Sequence, residues 1–182
     1  EKFGFYSEGR IDGKLIWFHG ASVGEILSII PLVKNYEKDK NINQILITSS
    51  TLSSSKIIKK FKFKKTIHQF YPVDHIFITQ KFLKYWKPNV AIYIESEIWP
   101  SMFNELDRKK IPLILLNTRI TKKSFNRWQI FSSFTNQIFG KISLALPQNQ
   151  ETLKYLKLFK VKNIKIAGNL KYYGQENKKD HV

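Results

Sequence analysis

The sequence predicts an α/β domain, with a doubly wound, mainly parallel sheet of about six to seven strands and helices on both faces. Three observations carry this reading. Short, almost continuously apolar runs recur along the chain, as parallel strands covered on both faces require. Longer stretches with apolar residues at helical spacing separate them, giving a βαβα order and right-handed crossovers. Pro72, Pro88, Pro112 and Pro147 all fall at element boundaries, where a residue that fixes φ and lacks an N–H does least harm.

In chain order, strands are expected at 14–18, 44–48, 66–70, 89–94, 112–116, 142–146 and 163–166. Helices are expected at 24–38, 51–61, 75–86, 98–109, 121–139 and 148–159. The first helix places Ile26, Ile29, Ile30 and Val33 on one face, and the second places Leu52, Ile57, Ile58 and Phe61. The Ser/Thr run from Thr48 to Ser55 reads either as a helix N-cap region or as a hydroxyl-rich lip over the sheet. Residues 121–141 carry Phe125, Trp128, Phe131, Phe134 and Ile138 at helical spacing, with lysines and Arg127 near the start. Core packing is the ordinary reading of such a stripe, and an interface to lipid and anionic head groups is the alternative. The polar stretch 172–182 reads as a linker or tail after a domain spanning 1–171.

Composition narrows the function. With no cysteine, disulfides, thiolate catalysis and cysteine metal sites are excluded. The four histidines show no His-x-His or His-Glu-x-x-His spacing, so no metal site is expected. No Gly-x-Ser-x-Gly elbow occurs. No run of about 18 apolar residues occurs, so no membrane span is expected, and no signal-peptide pattern is visible. The chain starts at Glu1, and further segments at either end are expected. The net charge is +17, from 31 basic and 14 acidic residues. That favours an anionic surface, although lysine, isoleucine and asparagine also share A/T-rich codons.

In open α/β sheets ligands bind beyond the carboxyl ends of the strands. Here that rule selects the loops 19–25, 48–55, 71–75, 95–100, 117–121 and 167–171. Three of them hold candidate chemistry. "HGASVGE" places Gly20, Ser22, Gly24 and Glu25 between an apolar strand and a helix. Its glycines admit tight turning and close ligand approach, and the helix N-terminus offers free N–H groups. Glu25 is either stabilised by the helix dipole or acts as a base, and the dipole favours its ionised form. "YIESEIWP" sets Glu95 and Glu97 on the same side if the extended conformation continues. Alternatively Ser96 caps the next helix and Glu97 sits in its first turn. "GNLKY" offers Gly168, Asn169 and Lys171 to an anionic ligand, or forms an ordinary turn.

Taken in this order, "WFHGASVGE", "YIESEIWP", "PLILLNTRIT" and "AGNLKY" resemble the signatures of the 3-deoxy-D-manno-octulosonic acid (Kdo) transferases. The resemblance runs from about Phe3 to Tyr172. It implies one Rossmann-like lobe of a two-lobed GT-B glycosyltransferase, namely the N-terminal, acceptor-side lobe. The implied reaction is inverting transfer of Kdo from CMP-Kdo to a lipid A precursor in lipopolysaccharide synthesis. It runs at the cytoplasmic face of the inner membrane, needs no cofactor, and involves an anionic membrane surface and no specific nucleic acid. In the family the glutamate closing the first motif is the proposed general base, which here is Glu25. Ser22 and Gly24 would shape the acceptor pocket. Glu95 and Glu97 would orient acceptor or donor hydroxyls, while Arg119 and Lys171 would meet phosphate or carboxylate. Many members follow the lysine–aromatic pair with aspartate, where this chain has Tyr173. Two other readings compete: another GT-B glycosyltransferase or sugar-nucleotide epimerase lobe, and a basic nucleic-acid-binding module. No RNP, helix-turn-helix or zinc-finger pattern supports the latter.

Overall fold

A computed structural model describes residues 1–166. Six parallel strands form one sheet: β1 (Leu15–His19), β2 (Gln44–Ser49), β3 (Thr66–Phe70), β4 (Val90–Ile94), β5 (Leu113–Thr118) and β6 (Leu144–Pro147). Their spatial order is β3-β2-β1-β4-β5-β6. The chain therefore winds outward from β1 to β3, returns to the centre, and winds the other way. Strand order reverses between β1 and β4, and a doubly wound sheet opens its binding crevice at that seam. The seam is in register, with Trp17 beside Ala91 and His19 beside Tyr93.

The helices are α1 (Val23–Lys38), α2 (Leu52–Lys60), α3 (Ile76–Trp86), α4 (Pro100–Arg108), α5 (Lys122–Gln129), α6 (Ser132–Phe139) and α7 (Gln150–Leu158). Alternation along the strands builds two cores. Ile16 and Phe18 pack with Ile26, Ile29, Ile30 and Val33 of α1 on one face. Leu15 and Trp17 pack on the other face with Phe82 and Trp86 of α3, Met102 and Phe103 of α4 and Phe139 of α6. Every residue of β1 is buried, which is why its sequence is apolar without alternation.

Three expectations are corrected. The seventh strand is absent among the described residues: 163–166 contributes only an isolated parallel bridge between Ala145 and Ile164. The expected helix over 121–139 is two helices. Phe131, at φ −112° and ψ 56°, leaves helical geometry and serves as the N-cap of α6. The helix expected from 98 begins at Pro100, because proline suits the first helical position and disfavours helix in the residue before it. Pro31 lies inside α1, within the span expected for the first helix. It sits on the exposed face, where water can satisfy the carbonyl it leaves unbonded.

Candidate functional site

The carboxyl ends of β1 and β4 bring two of the motifs together. After β1 the chain turns through Gly20 and Ala21 into α1. Ser22 is the N-cap, and its Oγ accepts from the Glu25 N–H at 3.3 Å. The Ser22 hydroxyl in turn donates to Glu25 Oε1 at 2.8 Å. The Ala21 N–H donates to Glu25 Oε2 at 2.9 Å. Serine at the cap and glutamate three residues on form a capping box, here reaching Ala21 rather than the cap residue's own N–H. The Glu25 carboxylate is thus fixed over the β1–α1 turn and is half-buried.

Glycine at position 20 makes that geometry possible. A Cβ there would lie 3.2 Å from both Glu25 Cβ and Ile26 Cδ1. Gly24 differs: a Cβ there meets nothing nearer than Ser22 Oγ at 4.0 Å. It is exposed and leaves one side of the first turn open to a ligand.

After β4 the structure departs from both readings of "ESEIWP". Glu95 takes a left-handed conformation, φ 57°, so the extended chain stops there and simple alternation does not relate Glu95 to Glu97. Ser96 does not cap α4. Its hydroxyl donates to the carbonyl of Arg119 and ties this loop to the one after β5. The N-cap of α4 is Trp99, and the cap's usual task falls to Asp74. That carboxylate accepts from the Ser101 N–H at 3.0 Å and the Met102 N–H at 2.8 Å.

Glu97 therefore lies in the loop, not in a helix. Its Oε2 accepts from Trp99 Nε1 at 2.9 Å and lies 3.4 Å from His19 Nε2. Burial alone would favour its protonated form, but the contacts from His19 and Trp99 outweigh burial and lower its pKa. Glu25 moves the opposite way. Burial raises its pKa, and the charges of Glu97 and Glu95 add to the rise, against the hydrogen bonds from Ser22 and Ala21. The helix terminus and these hydrogen bonds favour the ionised form of Glu25, desolvation and like charge oppose it, and the net shift is upward. The two carboxylates are thus pushed in opposite directions, Glu25 up and Glu97 down.

Arg119 is exposed at the end of the β5 loop, and its carbonyl rather than its guanidinium makes the contact to the motif loop. Lys171 and the rest of "GNLKY" lie outside the described residues. Among those residues no group of three or more His, Asp or Glu side chains could hold a metal. Reading the sequence passed over His19, whose only tested role was metal binding. It also passed over Asn117, the asparagine of "PLILLNTRIT", which is buried, left-handed at φ 53° and sits at a register shift of β5.

Fold and site together define the class: a Rossmann-like half-unit with a cluster of three glutamates at its topological switch point. The particular family follows from comparison. The model of the 3-deoxy-D-manno-octulosonic-acid transferase (kdotransferase) family matches residues 1–173, and this chain belongs to that family as an N-terminal domain. It is 38% identical over 162 residues to the 3-deoxy-D-manno-octulosonic acid transferase of Rickettsia felis, covering 89% of this chain and 35% of that protein. It is 29% identical over 175 residues to the enzyme of that name from Haemophilus influenzae, covering 94% and 41%. A probable mitochondrial member from Arabidopsis thaliana is 38% identical over 149 residues, covering 81% and 33%. The chain thus spans about a third to two fifths of the length of these relatives. Among solved structures, UDP-GlcNAc 2-epimerase from Neisseria meningitidis bound to UDP-GlcNAc superposes with TM-score 0.60 at 12% identity, over 91% of this chain and 51% of that one. At that identity the likeness concerns the fold.

Proposed function

We propose that this chain is the acceptor-side lobe of an inverting Kdo transferase, moving Kdo from CMP-Kdo to a lipid A precursor. The observation that carries the reading is Glu25: a half-buried carboxylate with raised proton affinity, aimed by Ser22 and Ala21 at the switch point of the sheet. Glu25 takes the proton from an acceptor hydroxyl as that oxygen attacks the anomeric carbon of Kdo. The C–O bond to CMP breaks, CMP leaves with the electron pair, and the configuration inverts. A base of this kind needs a pKa nearer the working pH than an exposed glutamate provides, and the direction at Glu25 fits.

The other assignments follow the same site. Gly24 and Ser22 border the acceptor, Glu97 and Glu95 orient sugar hydroxyls, and Arg119 and Lys171 meet anionic groups. The lobe spans 1–171, with 172–182 leading toward a second lobe that holds most of the donor site. A lipid acceptor places the enzyme against the cytoplasmic face of a bacterial inner membrane. Supporting contact with an anionic surface are the net charge of +17 and the exposed Phe3, Phe5 and Phe77, with Lys81 Nζ 4.6 Å over the Phe5 ring. No helix among the described residues is long and apolar enough to cross the bilayer. Donor screening of the full-length protein tests the reading. Turnover with CMP-Kdo and a lipid A precursor, and none with UDP-GlcNAc, is expected, whereas epimerisation of UDP-GlcNAc contradicts it.

A further inference from the structure

The strand that leads into the first motif ends on a histidine with no solvent exposure. The His19 ring lies 3.9 Å from that of Tyr71, centroid to centroid, and 5.1 Å edge-on from that of Tyr93. Trp99 stands 6.3 Å away. The polar groups facing it are the Thr48 hydroxyl and carbonyl from β2 and the Glu97 carboxylate from the β4–α4 loop. The Tyr71 and Tyr93 hydroxyls bond each other at 3.0 Å. Burial lowers the His19 pKa, so the ring is neutral and carries one proton.

The surrounding donors decide which nitrogen holds that proton. Trp17 Nε1 donates to Thr48 Oγ1 at 2.9 Å, which leaves the Thr48 hydroxyl proton free to donate. His19 Nδ1 is 3.0 Å away, nearer than the Phe18 carbonyl at 3.4 Å. With Nδ1 accepting from that hydroxyl, the ring proton sits on Nε2, facing Glu97 Oε2 at 3.4 Å, and the Thr48 carbonyl, 3.2 Å from Nδ1, has its donor in the Gly20 N–H at 3.1 Å. The other tautomer would set a bare nitrogen lone pair against a carboxylate in a buried site. The network therefore runs one way: Trp17 to Thr48 to His19 to Glu97, with Trp99 donating to the same carboxylate oxygen.

We infer that His19 is a positioning residue. As its Nε2–H tautomer, selected by the Thr48 hydroxyl, it holds Glu97 at the β1–β4 seam on the same crevice as Glu25. It acts through Glu97, and its part in turnover rests on the proposed transfer reaction. A metal role is not needed to account for the residue, and a merely apolar core residue would not need two polar partners.

The test uses the full-length protein. In His19→Gln the amide nitrogen reaches the place of Nε2 and keeps the donor to Glu97. In His19→Asn it reaches only the place of Nδ1 and loses that donor. Both replace one buried ring by one buried amide, so equal melting temperatures with unequal turnover separate positioning from folding. H19Q is expected within about threefold of wild-type kcat, and H19N about 100-fold down, with KM for the nucleotide sugar little changed. Adding Glu97→Gln to H19N is expected to cost no more than about threefold beyond the single variant, because the two act as one unit. Nitrogen-15 histidine spectra of the unligated protein are expected to show His19 as the Nε2–H tautomer, shifting in E97Q. An Nδ1–H tautomer, no response to E97Q, or equal activity of H19Q and H19N overturns the inference. A wild type inert toward CMP-Kdo overturns the transfer reading instead, and the spectra still decide the His19–Glu97 contact.

Discussion

Two opposing influences meet at Glu25. Hydrogen bonds from Ser22 and Ala21 favour its charged form, while burial and the charges of Glu97 and Glu95 favour the protonated one and prevail. A base is active when deprotonated, so transfer should rise with pH through the raised Glu25 pKa. Glu97→Gln removes one of the charges that raise it, and the acidic limb of the pH–rate profile should move to lower pH. An unmoved or upward-moved limb would remove Glu97 from the electrostatics of the base. Gly20 and Gly24 test the same site sterically. Gly20→Ala forces a Cβ to within 3.2 Å of Glu25 Cβ and Ile26 Cδ1. Turnover should fall about tenfold or more, since small misplacements of a reacting group are costly. Gly24→Ala meets open space and should stabilise α1 by up to about 1 kcal/mol, measured by denaturant unfolding. If a substrate passes there, KM for the acceptor rises in this folded variant. At this scale the sequence displayed the glycines and Glu25, whereas the Ser22 cap was not read, although a cap and its partner are neighbours in the chain. His19 and its link to Glu97 span 78 residues, and nothing in the spacing announces them.

Elements explain where the reading failed. The stripe in 121–139 divides at the break between α5 and α6. Phe125 is buried against Tyr155 and Phe159, with centroids 4.2 and 5.0 Å away, and Ile138 is buried with it. Ile130, Phe131 and Phe134 are instead exposed. Hydrophobic period sees the repeat but not the kink, so the core reading holds for Phe125, Trp128 and Ile138 and not for the exposed Phe131 and Phe134. Phe125→Ala should cost about 3–5 kcal/mol and Phe131→Ser less than about 0.5 kcal/mol in denaturant unfolding. Similar costs would place both side chains in the core. The β4–α4 loop was misread for a related reason. Pro100 moves the helix start past Ser96 and Glu97, and the vacated capping task is done by Asp74, from another part of the chain.

Across the whole molecule, the parallel sheet brings a set of distant loops to one edge. Parallel strands and their sequence positions were legible, because strands covered on both faces are apolar throughout. The rule that ligands sit beyond their carboxyl ends selected loops that the parallel sheet gathers at one edge. Two histidines, the half-buried His68 and the buried His19, add a stability signature. Burial lowers the His68 pKa from 6.5 to about 4, and its Nε2 lies 2.8 Å from Ser49 Oγ. The unfolded chain takes up this proton near pH 6.5 and the folded chain only near pH 4, so stability is full above that window and is lost as pH falls through it. His19 acts in the same direction. His68→Gln should recover about 1–2 kcal/mol of the stability lost between neutral pH and pH 4.5, read from urea unfolding at the two values. An unchanged pH dependence would mean that His68 is solvated in the folded protein.

The central claim is that Glu25 removes the acceptor proton. Single-turnover transfer from CMP-Kdo to a lipid A precursor by full-length Glu25→Gln measures it most directly. The account predicts a protein with wild-type melting temperature and donor binding whose chemical step is slower by about 100-fold to 10,000-fold. Transfer at the wild-type rate by that folded variant would contradict it.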